Sequence, residues 1–357
     1  MEITEIKVDG YERVARCRDQ ASGLHALIAV HDTTLGPALG GMRMLPYVSE
    51  DEALFDVLRL AKGMTYKSAV GETGLGGGKS VILGEPTKVK SRALFEAMGQ
   101  FVESFGGQYI TAEDMNIGIP DLELVRTKTR WVTGLSRESG SSGNPSPYTA
   151  RGCFLGVQAV AEDVWGTKDV RGKHVLIQGV GAVGGRLAVL LKEAGAKVTI
   201  CDINEARVKE LSSKHGFAVV ADDKHLDVAC DIYSPCARGA TLNGDTIPRL
   251  KCKAIGGAAN NQLLAPEHGD ELKKRGIQYA PDYVINAGGI INVGVEMLPG
   301  GYREEEALRR IDRIPINLKK VFEISRRDGI STQLAADRLA MERIQAAKAA
   351  KQPAKAR

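Results

Sequence analysis

The sequence predicts an α/β protein of two domains, and three observations point to it. Its 357 residues are about twice a common domain length of roughly 100–200 residues. Short apolar runs alternate with amphipathic stretches, the pattern of a sheet covered by helices. Between residues 174 and 193 a strand, a glycine turn and a helix follow one another directly, which is how a doubly wound parallel sheet begins. The expected division is 1–135 for the first domain, completed by a C-terminal helix at about 331–350, and 136–330 for the second, with 351–357 as a disordered tail.

The elements follow in chain order. Ala26 to Val30 is continuously apolar and reads as a buried strand. Ser49 is placed to cap a helix, with Glu50, Asp51 and Glu52 in its first turn, where acids suit the helix dipole. Ala53, Val57, Leu60, Ala61 and Met64 then recur at helical spacing, and Lys67 is expected just beyond that pattern. A glycine-rich loop precedes a strand from Lys79 to Leu83; a helix runs from about Ser91 to Phe105, and Tyr109–Thr111 forms another strand. Residues 134–149 are dense in Gly, Ser and Pro and are the expected linker. Beyond it come a helix (about Ala150 to Trp165), the strand His174–Gln178, the helix Gly184–Glu193 and the strand Lys197–Cys201. One long amphipathic helix is expected over 303–327, and another over about 331–348.

Composition excludes several classes. The apolar share is 43%, and 48 basic against 44 acidic residues leave +4, too small an excess to imply a nucleic-acid partner. No apolar run approaches the ~18–20 residues of a membrane span, and the charged start has no signal-peptide core, so a soluble cytoplasmic protein is expected. Six cysteines without a CxxC pair read as reduced thiols. Six scattered histidines imply no metal site.

Two groups of residues carry chemistry. Gly179, Val180, Gly181, Ala182, Val183 and Gly184 form a GxGxxG directly after a strand. Its glycines permit the tight turn, the approach of a pyrophosphate and close helix–strand packing. Asp202 stands 23 positions after Gly179, near the end of the next strand, where a carboxylate accepts a ribose 2′-hydroxyl and repels a 2′-phosphate. NAD is therefore the expected cofactor, although the nearby Arg207 could soften the exclusion of NADP. The second group is Lys67, Lys79 and Asp114. Gly76-Gly77-Gly78-Lys79-Ser80 is not a P-loop, because Thr73 occupies the position of the required first glycine and a strand follows. A lysine beside glycines and apolar residues loses hydration, which disfavours its charged form, and a second lysine nearby would do so further. One amine then serves as a base near neutral pH while the other binds a carboxylate.

These residues, together with Leu35 to Arg43 (LGPALGGMR), Met64-Thr65-Tyr66-Lys67, Thr111-Ala112-Glu113-Asp114 and Pro281 to Gly289 (PDYVINAGG), resemble the glutamate/leucine/phenylalanine/valine dehydrogenase family, closest to its leucine-specific members. The resemblance runs from about residue 10 to 345. It implies a substrate domain and a Rossmann domain separated by a cleft, with 134–149 as one hinge strand, and an NAD-dependent, reversible oxidative deamination of an L-amino acid. It further implies Lys79 as catalytic base, Asp114 as proton relay and Lys67 as holder of the substrate carboxylate. Asn260, Asn261 and Asn286 would line the substrate and nicotinamide site, and Thr149 would lie near the carboxamide. Leu39 occupies the position where glutamate-specific members carry a lysine. With Gly40, Met64, Ala112, Ile290 and Val293 it describes an apolar pocket for a branched chain: leucine, then valine and isoleucine. Gly294 departs from the alanine usual in relatives. The resemblance also implies a homo-oligomer, up to an octamer. The alternatives are the same reaction on phenylalanine and a catalytically silent NAD-sensing protein. A 2-hydroxy-acid dehydrogenase lacks its histidine here, since His268 falls on an expected helix.

Overall fold

The computed structural model describes residues 1–351. They form two compact units, Met1–Asn144 with Val293–Glu304 and the residues from Met341 on, and Pro145–Asn292 with Glu305–Ala340.

The first unit is built on a six-stranded mixed sheet: β1 (Glu2–Glu5), β2 (Arg13–Asp19), β3 (Leu24–Asp32), β4 (Ala38–Leu45), β5 (Gly76–Leu83) and β6 (Tyr109–Glu113), in the order β1-β2-β3-β5-β4-β6. β1, β2, β3 and β5 pair antiparallel, whereas β4 pairs parallel with both β5 and β6. The unbroken apolar run in β3 has a simple cause. Its successive side chains point to opposite faces, and both faces are covered. Leu27 and Ala29 pack with Ala53, Val57 and Ala61 of the helix Glu50–Val70. Ala26, Ile28 and Val30 pack with Leu94, Met98 and Phe101 of the helix Arg92–Glu103 and with Leu122 and Val125 of the helix Ile119–Arg126.

The second unit holds an all-parallel sheet: β7 (His174–Gln178), β8 (Lys197–Cys201), β9 (Ala218–Val219), β10 (Ile232–Pro235), β11 (Ala254–Ile255) and β12 (Gln278–Tyr279), in the order β12-β11-β10-β7-β8-β9. Read from the first strand outward, this is the 3-2-1-4-5-6 order of dinucleotide-binding sheets, with the switch point between β7 and β10.

Several elements differ from expectation. Lys67 lies inside the last turn of the helix Glu50–Val70, not beyond it. β5 starts at Gly76, so Lys79 sits within a strand and not on a loop. The helix expected over 303–327 is two helices, Glu304–Ile311 and Ile314–Asp328, because Pro315 has no N–H to continue the first and suits the opening turn of the second. The division at 135/136 moves to Asn144/Pro145, and 293–304 join the first unit. The Glu296 carboxylate accepts hydrogen bonds from Gly134 N (3.0 Å), Ser142 N (2.9 Å) and Ser141 Oγ (2.6 Å), which ties this segment to the supposed linker. The last helix, Thr332–Lys351, is shared, its first nine residues grouping with the second unit. Of the expected tail, only Lys351 lies within the described residues.

Candidate active site

Lys79 lies in β5, hydrogen-bonded in register between β3 and β4, and is 5% exposed. The three glycines before it admit close neighbours. A Cβ on Gly77 would lie 2.0 Å from Thr65 N, so the helix carrying Met64 and Lys67 rests directly on β5. A Cβ on Gly40 would lie 1.7 Å from Gly78 O. Tyr109, buried beneath, donates its hydroxyl to Gly40 O at 2.7 Å and fixes that backbone.

Asp114 follows β6 directly, and its Oδ2 accepts a hydrogen bond from Lys79 Nζ at 2.6 Å. The same oxygen accepts from Arg43 Nε at 2.9 Å, while Arg43 Nη1 donates to Asp56 Oδ2 at 3.1 Å. Asp56 also receives the Tyr47 hydroxyl at 2.7 Å and an ion pair from Arg59 at 2.6 Å. Burial disfavours the Lys79 ammonium more than Asp114 supports it, so its pKa falls below the usual lysine value. Burial alone would raise the Asp114 carboxyl, but the charges of Lys79 and Arg43 and their hydrogen bonds outweigh it and hold the carboxyl below its usual range. The result is a desolvated amine beside a fixed carboxylate, an arrangement that takes up and returns protons. Lys67 and Met64 are half-buried on the helix above β5, Leu39 and Gly40 are buried in β4, and Ala112 is half-buried at the end of β6. Val293 opens the 293–304 segment of the same unit.

In the second unit the glycine turn leaves β7. Gly179 has φ +95°, and a Cβ on it would lie 2.5 Å from Ala237 Cβ; one on Gly184 would lie 2.0 Å from Gly179 O. Gly181, by contrast, faces open space at the start of the helix Gly184–Glu193, where backbone N–H groups are free for an anion. Asp202 Oδ2 accepts Val180 N at 2.7 Å and its Oδ1 accepts Asn204 N at 2.9 Å. Each oxygen keeps a further lone pair for a ribose hydroxyl. Asn286 is buried, donating to Asn260 Oδ1 at 2.7 Å and to Ala258 O at 3.1 Å, while its Oδ1 has no partner among the described residues. A Cβ on Gly289 would lie 2.7 Å from Thr149 Oγ1, so the paired glycines of PDYVINAGG bring their segment against Thr149. Asn261 is held at φ +51°, its carbonyl accepting Ala240 N at 2.7 Å, and Ile290 lies in the helix Gly288–Gly294. The glycine cradle, the Asp202 carboxylate beside it and an orphaned buried amide oxygen fit a dinucleotide.

Among the described residues one trio, Cys201, Asp222 and His225, has the donor types of a metal site. Two of its three groups are engaged elsewhere: His225 bonds the Asp222 carbonyl and the Tyr233 hydroxyl, and Cys201 Sγ donates to Ile177 O, while Asp222 Oδ1 has no hydrogen-bond partner among the described residues.

Family models match most of the chain: "Glu/Leu/Phe/Val dehydrogenase, dimerisation domain" over residues 11–131, and "Glutamate/Leucine/Phenylalanine/Valine dehydrogenase" over 140–206 and 200–352. The chain is 52% identical to a leucine dehydrogenase of Bacillus cereus and 51% identical to one of Thermoactinomyces intermedius, in each case over 94% of this chain and 91% of the relative. The chain belongs to the glutamate/leucine/phenylalanine/valine dehydrogenase family. Among solved structures, L-tryptophan dehydrogenase from Nostoc punctiforme matches with a TM-score of 0.85 and 41% identity, over 95% of this chain and 97% of that one.

Two features of this family member stand out. A Cβ on Gly294 would meet Leu75 Cδ1 at 3.4 Å, ordinary contact, so an alanine would fit there and glycine leaves a small recess. Arg43, Asp56 and Tyr47 were given no role by sequence reasoning. A signal existed: Asp56 falls between Ala53 and Val57 on the apolar stripe of its helix, where an unpaired carboxylate would be costly.

Proposed function

We propose that the chain catalyses the reversible NAD-linked oxidative deamination of a branched-chain aliphatic L-amino acid, leucine preferred, to the 2-oxo acid, ammonia and NADH. The observation that carries this reading is the buried Lys79 amine held on Asp114 within a chain of this family.

The Gly179–Gly184 turn would hold the pyrophosphate, Asp202 the ribose, and Thr149, Asn260 and Asn286 the nicotinamide end. When bound, NAD accepts hydride from the substrate Cα. Lys67 would hold the substrate carboxylate. Lys79, neutral, takes a proton from the water that adds to the resulting iminium carbon. Asp114 then relays a proton to the amine nitrogen, which leaves as ammonia as the carbonyl forms. Positioned proton transfers of this kind contribute about 10²–10⁴ in rate. Since Lys79 must be neutral, kcat/KM rises with pH through its pKa. Burial places that rise below the value of an ordinary lysine.

Leu39, Gly40, Met64, Ala112, Val293, Ile290 and Asn261 are assigned to the substrate. Leu39 offers no partner to a side-chain carboxylate, and burying one unpaired costs several kcal/mol, which disfavours glutamate. The test follows absorbance at 340 nm with leucine, valine, isoleucine, phenylalanine and glutamate, each with NAD and NADP. Signal with the branched chains and NAD is expected. A dominant glutamate rate overturns the pocket assignment, a dominant phenylalanine rate favours the aromatic alternative, and NADH binding without turnover favours the silent sensor. Asp202→Ser, which removes the charge facing a 2′-phosphate, is expected to raise the NADP-to-NAD ratio of kcat/KM about 10- to 100-fold. An unchanged ratio would remove Asp202 from cofactor choice.

Six free cysteines support a reducing compartment, which we take to be the cytoplasm. No helix among the described residues is long and apolar enough to cross a membrane. The dimerisation-domain match supports a homo-oligomer built through the first unit, with an octamer as our expectation.

A further inference from the structure

We infer that Arg43 is a positioning residue of the proton-transfer pair, resting on the deaminase reading above: it shares Asp114 Oδ2 with Lys79, leaves Oδ1 as the relay oxygen and favours the neutral lysine. The geometry is specific. Lys79 Nζ and Arg43 Nε converge on the same carboxylate oxygen, at 2.6 and 2.9 Å, and Oδ1 accepts no hydrogen bond among the described residues. The guanidinium is planar, so its orientation on Asp114 is set by its other end, where Nη1 donates to Asp56 at 3.1 Å. Asp56 is in turn held by Tyr47 from the segment after β4 and by Arg59 from its own helix. A carboxylate gripped through one oxygen by two cations cannot turn freely, and the proton it relays enters and leaves at the other oxygen.

The same arrangement sets charge. The Lys79–Asp114 ion pair favours the protonated lysine and so works against burial. The second cation competes for Asp114 and repels the ammonium, whereas Asp56 partly restores it. The charged and titratable groups on the elements packed around the pair are Arg43 on β4, Tyr47 after it, Asp56, Arg59 and Lys67 on the helix Glu50–Val70, and Tyr109 and Glu113 on β6. The two neighbours therefore act with opposite sign on one proton.

The experiment compares the pH profile of kcat/KM for leucine in the full-length wild type, Arg43→Gln, Arg43→Lys and Asp56→Asn, with NADH binding followed by fluorescence. Losing the Arg43 charge lets Lys79 keep its proton to higher pH, so Arg43→Gln moves the acidic limb up by about one unit. Losing the Asp56 charge moves it down. Arg43→Lys restores the limb but not kcat, because an ammonium cannot bridge both carboxylates as a fork does. For Arg43→Gln we expect kcat to fall about 100-fold at neutral pH, with KM changed only a few-fold and NADH binding retained. Limbs that coincide with wild type, or that move the same way in both variants, overturn the inference and leave Arg43 a structural residue. If Arg43→Gln does not fold, Asp56→Asn alone decides by the direction of its limb. Absence of amino-acid-dependent NADH formation in the wild type would instead overturn the deaminase reading itself.

Discussion

Lys79→Ala is expected to bind NADH like the wild type and to lose about 10³- to 10⁴-fold in kcat for leucine, the upper part of the range for a positioned proton transfer. Among the described residues the amine is the one basic nitrogen bonded directly to Asp114 through a flexible stem; Arg43, the other cation there, stays protonated at any working pH. Its removal leaves a cavity and frees Asp114 to lean wholly on Arg43, so the amine that takes the proton of the attacking water is gone. The Gly179–Gly184 turn, to which we assign the cofactor, belongs to the other unit and keeps its sequence. A split between lost turnover and retained binding is thus the signature. Single-turnover hydride transfer should be impaired less than steady-state deamination, because the lysine acts on the water after the hydride has left. Near-normal rates in this variant would remove Lys79 from the chemistry.

The second large effect is structural. Gly77→Ala is expected to destabilise the first unit by about 3 kcal/mol or more, at the upper end of overpacking costs. It should also reduce activity in the protein that still folds. The added Cβ would lie 2.0 Å from Thr65 N and 2.4 Å from Thr65 Cα, which are backbone atoms of a helix and cannot rotate aside. The helix must lift from β5, and it carries Lys67 two residues beyond the contact as β5 carries Lys79. Gly63→Ala is the control. It stands on the same helix with nothing within 4 Å of the new Cβ, and it should be neutral or stabilising by up to about 1 kcal/mol. Denaturant midpoints of the two variants check the pair; equal midpoints would mean that the close approach at Gly77 is not a constraint.

Much of this was legible before any coordinates. The strand–turn–helix at 174–193 could be read because each of its signals is local: an apolar run, a GxGxxG, and an acid at the end of the following strand. The Ser49 cap is local in the same way, its Oγ accepting Glu52 N at 3.1 Å. The misread pieces depended on distant partners. Gly76 to Gly78 look like a loop in isolation and become a strand because β3 and β4 flank them and Thr65 rests on Gly77. The 134–149 stretch has the composition of a free linker, yet Ser141 and Ser142 are buried and anchored to Glu296, more than 150 residues away. Glu52 and Glu296 are chemically alike, and nothing near either one announces which holds a distant segment.

The chain alone determined which residues were candidates: a lysine and an aspartate set beside apolar strands, a glycine turn with its acid, and an apolar leucine at position 39. It determined them because residue type and short spacing are properties of adjacent atoms. Only the tertiary structure decided how completely Lys79 is buried, that Arg43 and Lys79 meet on a single oxygen of Asp114, and that Asp56 stands behind them. Desolvation and convergence are collective quantities, produced when β4, β5, β6 and the helix Glu50–Val70 pack together.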